Sequence, residues 1–245
     1  SRLNPEEAAE QVREAWGLGE NSVSNVVHLL EANGVRFFSL PSDCLDIDTF
    51  SIISEGTPFI LLSSLKSCER IRFDTAHELG HLLLHRERRV SQGRDLEGEA
   101  NDFASAFLMP RAGMLAQHLH NASIDRILIA KRKWGVSAID LTHRLRKLEL
   151  ISDRRYNQTV KELARRGYRR AEPGSSLARE SSLLLAKAFE ALRNILKMSP
   201  AEVAAELHTF PEHLNEYVFG MMLVAFDGGR EQSAPLLPEL RIVQE

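Results

Sequence analysis

His77-Glu78-Leu79-Gly80-His81 is the stretch on which the reading of this 245-residue chain turns. Residues four apart on a helix share a face and stand about 6 Å apart along its axis. The imidazoles of His77 and His81 can therefore converge on one zinc ion, with the Glu78 carboxylate beside them. Zinc lowers the pKa of a bound water towards about 7, and a neighbouring carboxylate can take its proton as it attacks a peptide carbonyl. The chemistry implied is metal-assisted hydrolysis with Glu78 as general base.

The flanks predict a helix. Arg70 to Ala76 lead in, and Leu79, Leu82, Leu83 and Leu84 continue the apolar pattern over about 67–86. Inside such a helix Gly80 costs roughly 1 kcal/mol against Ala, so its presence implies close approach by another segment. Catalytic zinc keeps three protein ligands and one open position, so a third ligand must come from elsewhere. His85 shares the face, but at about 12 Å along the axis from His77 it cannot bind the same ion. It reads as a helix-end residue or one that supports a ligand from behind. The longer metzincin pattern requires Gly at position 84 and His at 87, where this chain has Leu84 and Glu87, so that class is disfavoured.

Downstream, Leu96-Glu97-Gly98-Glu99-Ala100-Asn101-Asp102-Phe103-Ala104-Ser105-Ala106-Phe107-Leu108-Met109-Pro110 reads as an apolar helix with acidic residues in its first turn and Pro110 closing it. Glu97, Asn101, Ala104 and Leu108 fall on one face, which turns Glu97 towards the core. Asn101 lies one turn on, where an amide can orient a metal ligand. The alternative is that Glu97 and Glu99 merely favour the positive helix N-terminus. Beside an HExxH helix, the ligand reading of Glu97 is preferred.

Taken together, Arg72-Phe73-Asp74-Thr75-Ala76-His77-Glu78-Leu79-Gly80-His81-Leu82-Leu83-Leu84-His85, then Glu97-x-x-Ala-Asn-x-Phe-Ala and Leu108-Met109-Pro110, resembles the ImmA/IrrE family of metallopeptidases. The resemblance covers about residues 24–112, with looser similarity to about 152. It implies zinc held by His77, His81 and the Glu of the ExxAN element, which Glu97 fits better than Glu99, with Glu78 as general base. It also implies an α+β, zincin-like (gluzincin-type) catalytic domain with a small sheet and an active-site helix. Family members are typically encoded near XRE-type helix-turn-helix repressors and inactivate them by cleavage, switching on mobile-element or damage-response genes. The expectation is thus a site-specific regulatory endopeptidase of transcription. The alternative is a binding regulator, such as an antitoxin-like partner, that holds zinc without turnover and acts by protein or DNA binding.

Composition bounds the setting. Cys44 and Cys68 form neither a CxxC pair nor a disulfide framework, which suits a reducing compartment. No signal-like start and no apolar run long enough to span a membrane is present, so a cytoplasmic protein is expected. With 43% hydrophobic residues and a net charge of −3, the chain can bury a core but has no global basic excess for nucleic acid.

Along the chain, Asn4-Pro5-Glu6-Glu7 starts a helix to about Trp16, and a second follows over about 23–32. Strands are predicted over about 35–40, 48–53 and 58–63. The second reads as half-exposed and the third as buried, because Phe59-Ile60-Leu61-Leu62 is a continuous apolar run. Such a sheet offers an edge on which an extended peptide can add as a strand. A loop at Ser91 to Asp95 is expected between the two site-bearing helices.

After Pro110 the character becomes helical. Helices at 123–134 and 138–148, joined at Gly135, make a helix-turn-helix-like pair. Thirteen Lys or Arg against four Asp or Glu between 131 and 170 make Lys131, Arg132, Lys133, Arg144 and Arg146 candidate DNA contacts; the plainer reading is a packing pair with a solvated basic face. Beyond a linker at 172–176, helices are expected at about 178–196, 200–208 and from 209 to 222. The last two are acidic and suit homodimerisation or partner docking better than phosphate. A disordered tail is expected from Asp227. The resulting division is a zincin-like domain at 1–122, a helix-turn-helix-like segment at 123–152 and a C-terminal helical domain with a flexible tail at 153–245.

Overall fold

A computed structural model describes residues 4–41, 43–44, 47–63, 66–85, 95–168 and 177–222. The loop expected at Ser91 to Asp95 (all but Asp95), the linker at 172–176 and the tail from Asp227 fall outside them. The chain divides into two compact units, Ser1–Leu183 and Leu184–Glu245. The architecture is α+β, with one small sheet and many helices.

In the first unit, α1 (Pro5–Ala15) begins at a capping box: the Asn4 side chain accepts from the Glu7 amide at 2.9 Å, and Pro5 takes the first turn. Next come α2 (Val26–Ala32), β1 (Arg36–Ser39), β2 (Phe50–Ser54) and β3 (Thr57–Leu62). The strand order is β1-β3-β2, with β1 parallel and β2 antiparallel to the central β3. Glu55 and Gly56 both have positive φ, the two-residue turn that matches the twist of a hairpin. Register then decides the faces. Phe37 and Ser51 both pair with Ile60, so these three share the face towards the helices. The run at 59–62 is buried on one face only: Ile60 and Leu62 are buried, while Phe59 and Leu61 are half-buried beside Phe38 and Phe50. A continuous apolar run concealed an ordinary alternation, because its outer face is also apolar.

The sheet is followed by α3 (Cys68–Leu84) and α4 (Leu96–Leu108), which pack against each other, and by α5 (Arg111–Leu115). Then come α6 (Ile124–Trp134), α7 (Ala138–Lys147) and α8 (Asp153–Arg165). Neither α5 nor α8 was expected from the sequence. In α8, Thr159 and Leu163 are buried one turn apart, a stripe too thin to stand out among eight polar or charged neighbours. Three buried arginines tie this unit together by donating to carbonyls at helix ends, which lack intrahelical partners. Arg13 donates to Phe107 O at 2.5 Å, Arg144 to Met109 O at 2.8 Å and Arg72 to Gly135 O at 3.1 Å.

Gly80 faces α4. A Cβ placed there would lie 3.2 Å from both Ala100 Cα and Phe103 Cδ1. Since Ala100 Cα is backbone, Gly80→Ala must push α3 and α4 apart. Overpacking of this kind costs about 1–3 kcal/mol, against roughly 1 kcal/mol gained in helix propensity. A net loss of about 1 kcal/mol is expected in denaturant unfolding, and a stabilised variant would remove the close-approach account.

The second unit carries α9 (Leu183–Asn194), α10 (Pro200–Glu206) and α11 (Pro211–Tyr217). Ser199 and Glu202 form a capping box ahead of α10, and α10 packs on α11.

Candidate metal centre and general base

Helix α3 presents His77, Glu78 and His81, and α4 brings Glu97 to them. The His77 and His81 Nε2 atoms stand 3.0 Å apart, with Glu97 Oε2 at 3.3 Å from the first and Oε1 at 3.4 Å from the second. The ligand atoms of these three residues all lie within 4.8 Å of one another, and no other such group of three occurs among the described residues. The outward nitrogens are committed elsewhere. His77 Nδ1 lies 3.0 Å from Asn101 Oδ1, and His81 Nδ1 lies 2.9 Å from His85 Nδ1. An amide oxygen only accepts, so His77 carries its proton on Nδ1 and turns the Nε2 lone pair inward. Lone pairs and a carboxylate gathered around one point repel unless a cation lies between them. Two imidazoles and a carboxylate form a donor set suited to a divalent metal with a position left open.

Glu78 projects from the same helix turn towards the sheet. Ser51 Oγ donates to its Oε2 at 2.7 Å, a contact that exists because the β2 register places Ser51 on the helix-facing side. Burial pushes the Glu78 carboxyl above the usual range for its type; the Ser51 hydrogen bond pulls the other way but does not cancel it. His81 is held below the ordinary histidine value, first by burial and then by the neighbouring His77. A poorly solvated carboxylate is a better base than an exposed one, and a neutral imidazole is the form that binds metal.

Glu99, a potential ligand alternative, lies away from the cluster: His85 Nε2 reaches Glu99 Oε2 at 3.1 Å. Sequence reasoning missed two residues here. Ser51 carried no signal beyond its place in a strand, and Glu99 looked like a helix-dipole residue.

Two candidate DNA contacts require correction. Lys131 is buried with its Nζ 3.2 Å from Glu69 Oε1, and Arg144 is fully buried, donating to Glu6 Oε2 at 2.7 Å and Oε1 at 2.5 Å. Neither can meet a phosphate without breaking a buried ion pair, which costs several kcal/mol. Arg146 pairs with Asp153 at 2.7 Å and stacks over Tyr156, whereas Arg132 and Lys133 are exposed. Part of the basic excess counted between 131 and 170 is offset in space, because Lys131, Arg144 and Lys147 pair with Glu69, Glu6 and Asp102 from outside that window.

The family profile for peptidase M78, described as the IrrE N-terminal-like domain, matches residues 30–146. No curated protein matches the chain. A solved structure of a Mycobacterium tuberculosis transcriptional regulator is 20% identical with a TM-score of 0.43, covering 58% of this chain and 46% of its own. The present chain thus spans less than half of that protein's length. The HExxH helix, the ExxAN helix that meets it and the profile over both lead to one assignment: residues 30–146 of this chain match the IrrE N-terminal-like domain of the ImmA/IrrE family.

Proposed function

We propose that this chain is a zinc-dependent endopeptidase that cleaves a helix-turn-helix (XRE-type) repressor at a specific site. The observation that carries the hydrolytic reading is the meeting of His77, His81 and Glu97 with Glu78 alongside. The repressor as substrate follows from the family. His77, His81 and Glu97 would hold the ion, which when bound supplies Lewis acidity to the scissile carbonyl and acidifies water. Glu78 takes the proton of the attacking water on its carboxylate and passes it to the leaving nitrogen, since that amine must be protonated to depart. Ser51 keeps the Glu78 carboxylate in place while this happens. Among the described residues β2 pairs only with β3. Its outer edge is where the repressor segment lies, extended, beside the base.

Asn101 and His85 orient the metal-binding imidazoles from behind. The working division remains a catalytic part at 1–122, a helix-turn-helix-like pair at 123–152 and helices from 153 onward. In the last part, exposed Ile195, Leu196, Leu207 and Phe210 suit contact with protein, a second copy included. No described helix is long and apolar enough to cross a membrane. The cytoplasm, where the repressor acts, is the proposed location.

The test is incubation of the purified protein with the repressor encoded beside it. Two defined fragments should appear with zinc, vanish with a chelator and return when zinc is restored. Stoichiometric zinc binding with an intact repressor would favour instead a non-catalytic zinc-holding regulator.

A further inference from the structure

The two imidazoles of the cluster are supported from behind in different ways. His77 has an amide oxygen on Nδ1, which fixes its tautomer directly. His81 has another histidine there, and an imidazole nitrogen can either donate or accept. On its own, His85 would leave the His81 tautomer undetermined. The opposite nitrogen of His85 resolves the ambiguity, because it faces the Glu99 carboxylate at 3.1 Å.

We propose that Glu99 and His85 form a hydrogen-bonded chain that sets His81 in the tautomer with Nε2 unprotonated and turned towards His77 and Glu97. The direction follows from what each group can do. An ionised carboxylate only accepts, so the His85 proton sits on Nε2 and its Nδ1 offers a lone pair. That lone pair accepts from His81 Nδ1–H, which leaves the His81 Nε2 lone pair for the cluster. With His85 neutral and its proton on Nε2, the opposite His81 tautomer would set two Nδ1 lone pairs against each other across 2.9 Å, and no hydrogen bond would form. The His85 side chain is 8% exposed, so water competes poorly for these bonds. The geometry of the two helices also suits the chain: His77 and His81 stand four residues apart on α3 with His85 as its C-cap, and from α4 Asn101 meets His77, Glu97 meets His77 and His81, and Glu99 meets His85.

Glu99 and His85 are positioning residues and do not touch the substrate. The inference rests on the cluster being a metal site, and the experiment separates the two. Zinc affinity is measured by chelator competition in the full chain, in Glu99→Leu and in Glu99→Gln. The His81 ring tautomer is read by nitrogen NMR of the metal-free proteins at about pH 8, above the usual histidine range. Glu99→Leu should weaken zinc binding about 10- to 100-fold and move the His81 proton from Nδ1 towards Nε2. Glu99→Gln, whose amide oxygen still accepts, should recover most of both. Thermal unfolding of the metal-free variants serves as the control, since a purely structural role would lower Tm without touching the tautomer. Absence of zinc binding by the parent chain would overturn the metal site itself. Zinc binding with an unchanged affinity and an unchanged His81 tautomer in Glu99→Leu would overturn the chain and leave the metal site standing.

Discussion

Replacing Glu78 with Gln is expected to slow repressor cleavage by about 10²- to 10⁴-fold, the usual share of a positioned general base. The amide fills the same space and can still accept from Ser51, but it cannot take a proton. Zinc affinity should therefore stay near that of the parent, which separates this loss from a damaged metal site. The contact with Ser51 predicts a graded companion. Removing a hydrogen bond to a charged group costs about 1.5–3 kcal/mol, so Ser51→Ala should lose roughly 10- to 100-fold if the bond holds Glu78 in its working position. Wild-type cleavage by Glu78→Gln would sink the assignment of the base, and wild-type cleavage by Ser51→Ala would reduce Ser51 to a bystander.

The second large effect lies outside the cluster, at Glu180. This residue lies after the helices of the first unit, yet its carboxylate is buried against the start of α2, where Oε2 accepts from the amides of Val26 at 2.8 Å and Val27 at 3.0 Å. Its other oxygen pairs with Arg72, whose guanidinium also donates to Val23 O at 2.6 Å and Ser24 O at 3.3 Å. The two side chains are 2% and 7% exposed. Removing one partner of such a pair strands the other charge, at a cost of about 3–5 kcal/mol. Glu180→Gln should therefore lower the first unit's Tm by roughly 6–20 °C. The double variant Arg72→Met with Glu180→Gln should recover part of that loss, because no unpaired charge remains buried. A Glu180→Gln change within about 0.5 kcal/mol of the parent would refute the account. Since Arg72 lies on α3 with the site histidines, loss of this anchor is also expected to weaken zinc binding in the surviving folded protein.

Much of the site was legible in the order of residues. Helical spacing placed His77 and His81 on one face, the acidic start of the next helix contained Glu97, and Asn101 followed at one turn. Gly80 signalled a close approach, and Ala100 with Phe103 supplies it. The strands at 36–39, 50–54 and 57–62 were also foreseen within a few residues, as was the helix start at Asn4. Charge was the least legible property. Lys131, Arg144 and Arg146 look alike in a local count, yet two of them lie in the core and one on the surface.

The sequence by itself determined the helix that carries the candidate site: periodicity and capping act between residues a few positions apart, so a helix carrying two imidazoles and a carboxylate can be read from consecutive letters. Only the tertiary structure decided which groups serve that helix. Ser51 reaches Glu78 across 27 positions, Glu99 reaches His85 across 14, and Glu180 reaches Arg72 across 108. Such pairings arise from the register of a sheet, the approach of two helices and the return of a distant segment. They carry no periodic trace in the chain, because burial and partner choice are settled by packing and desolvation.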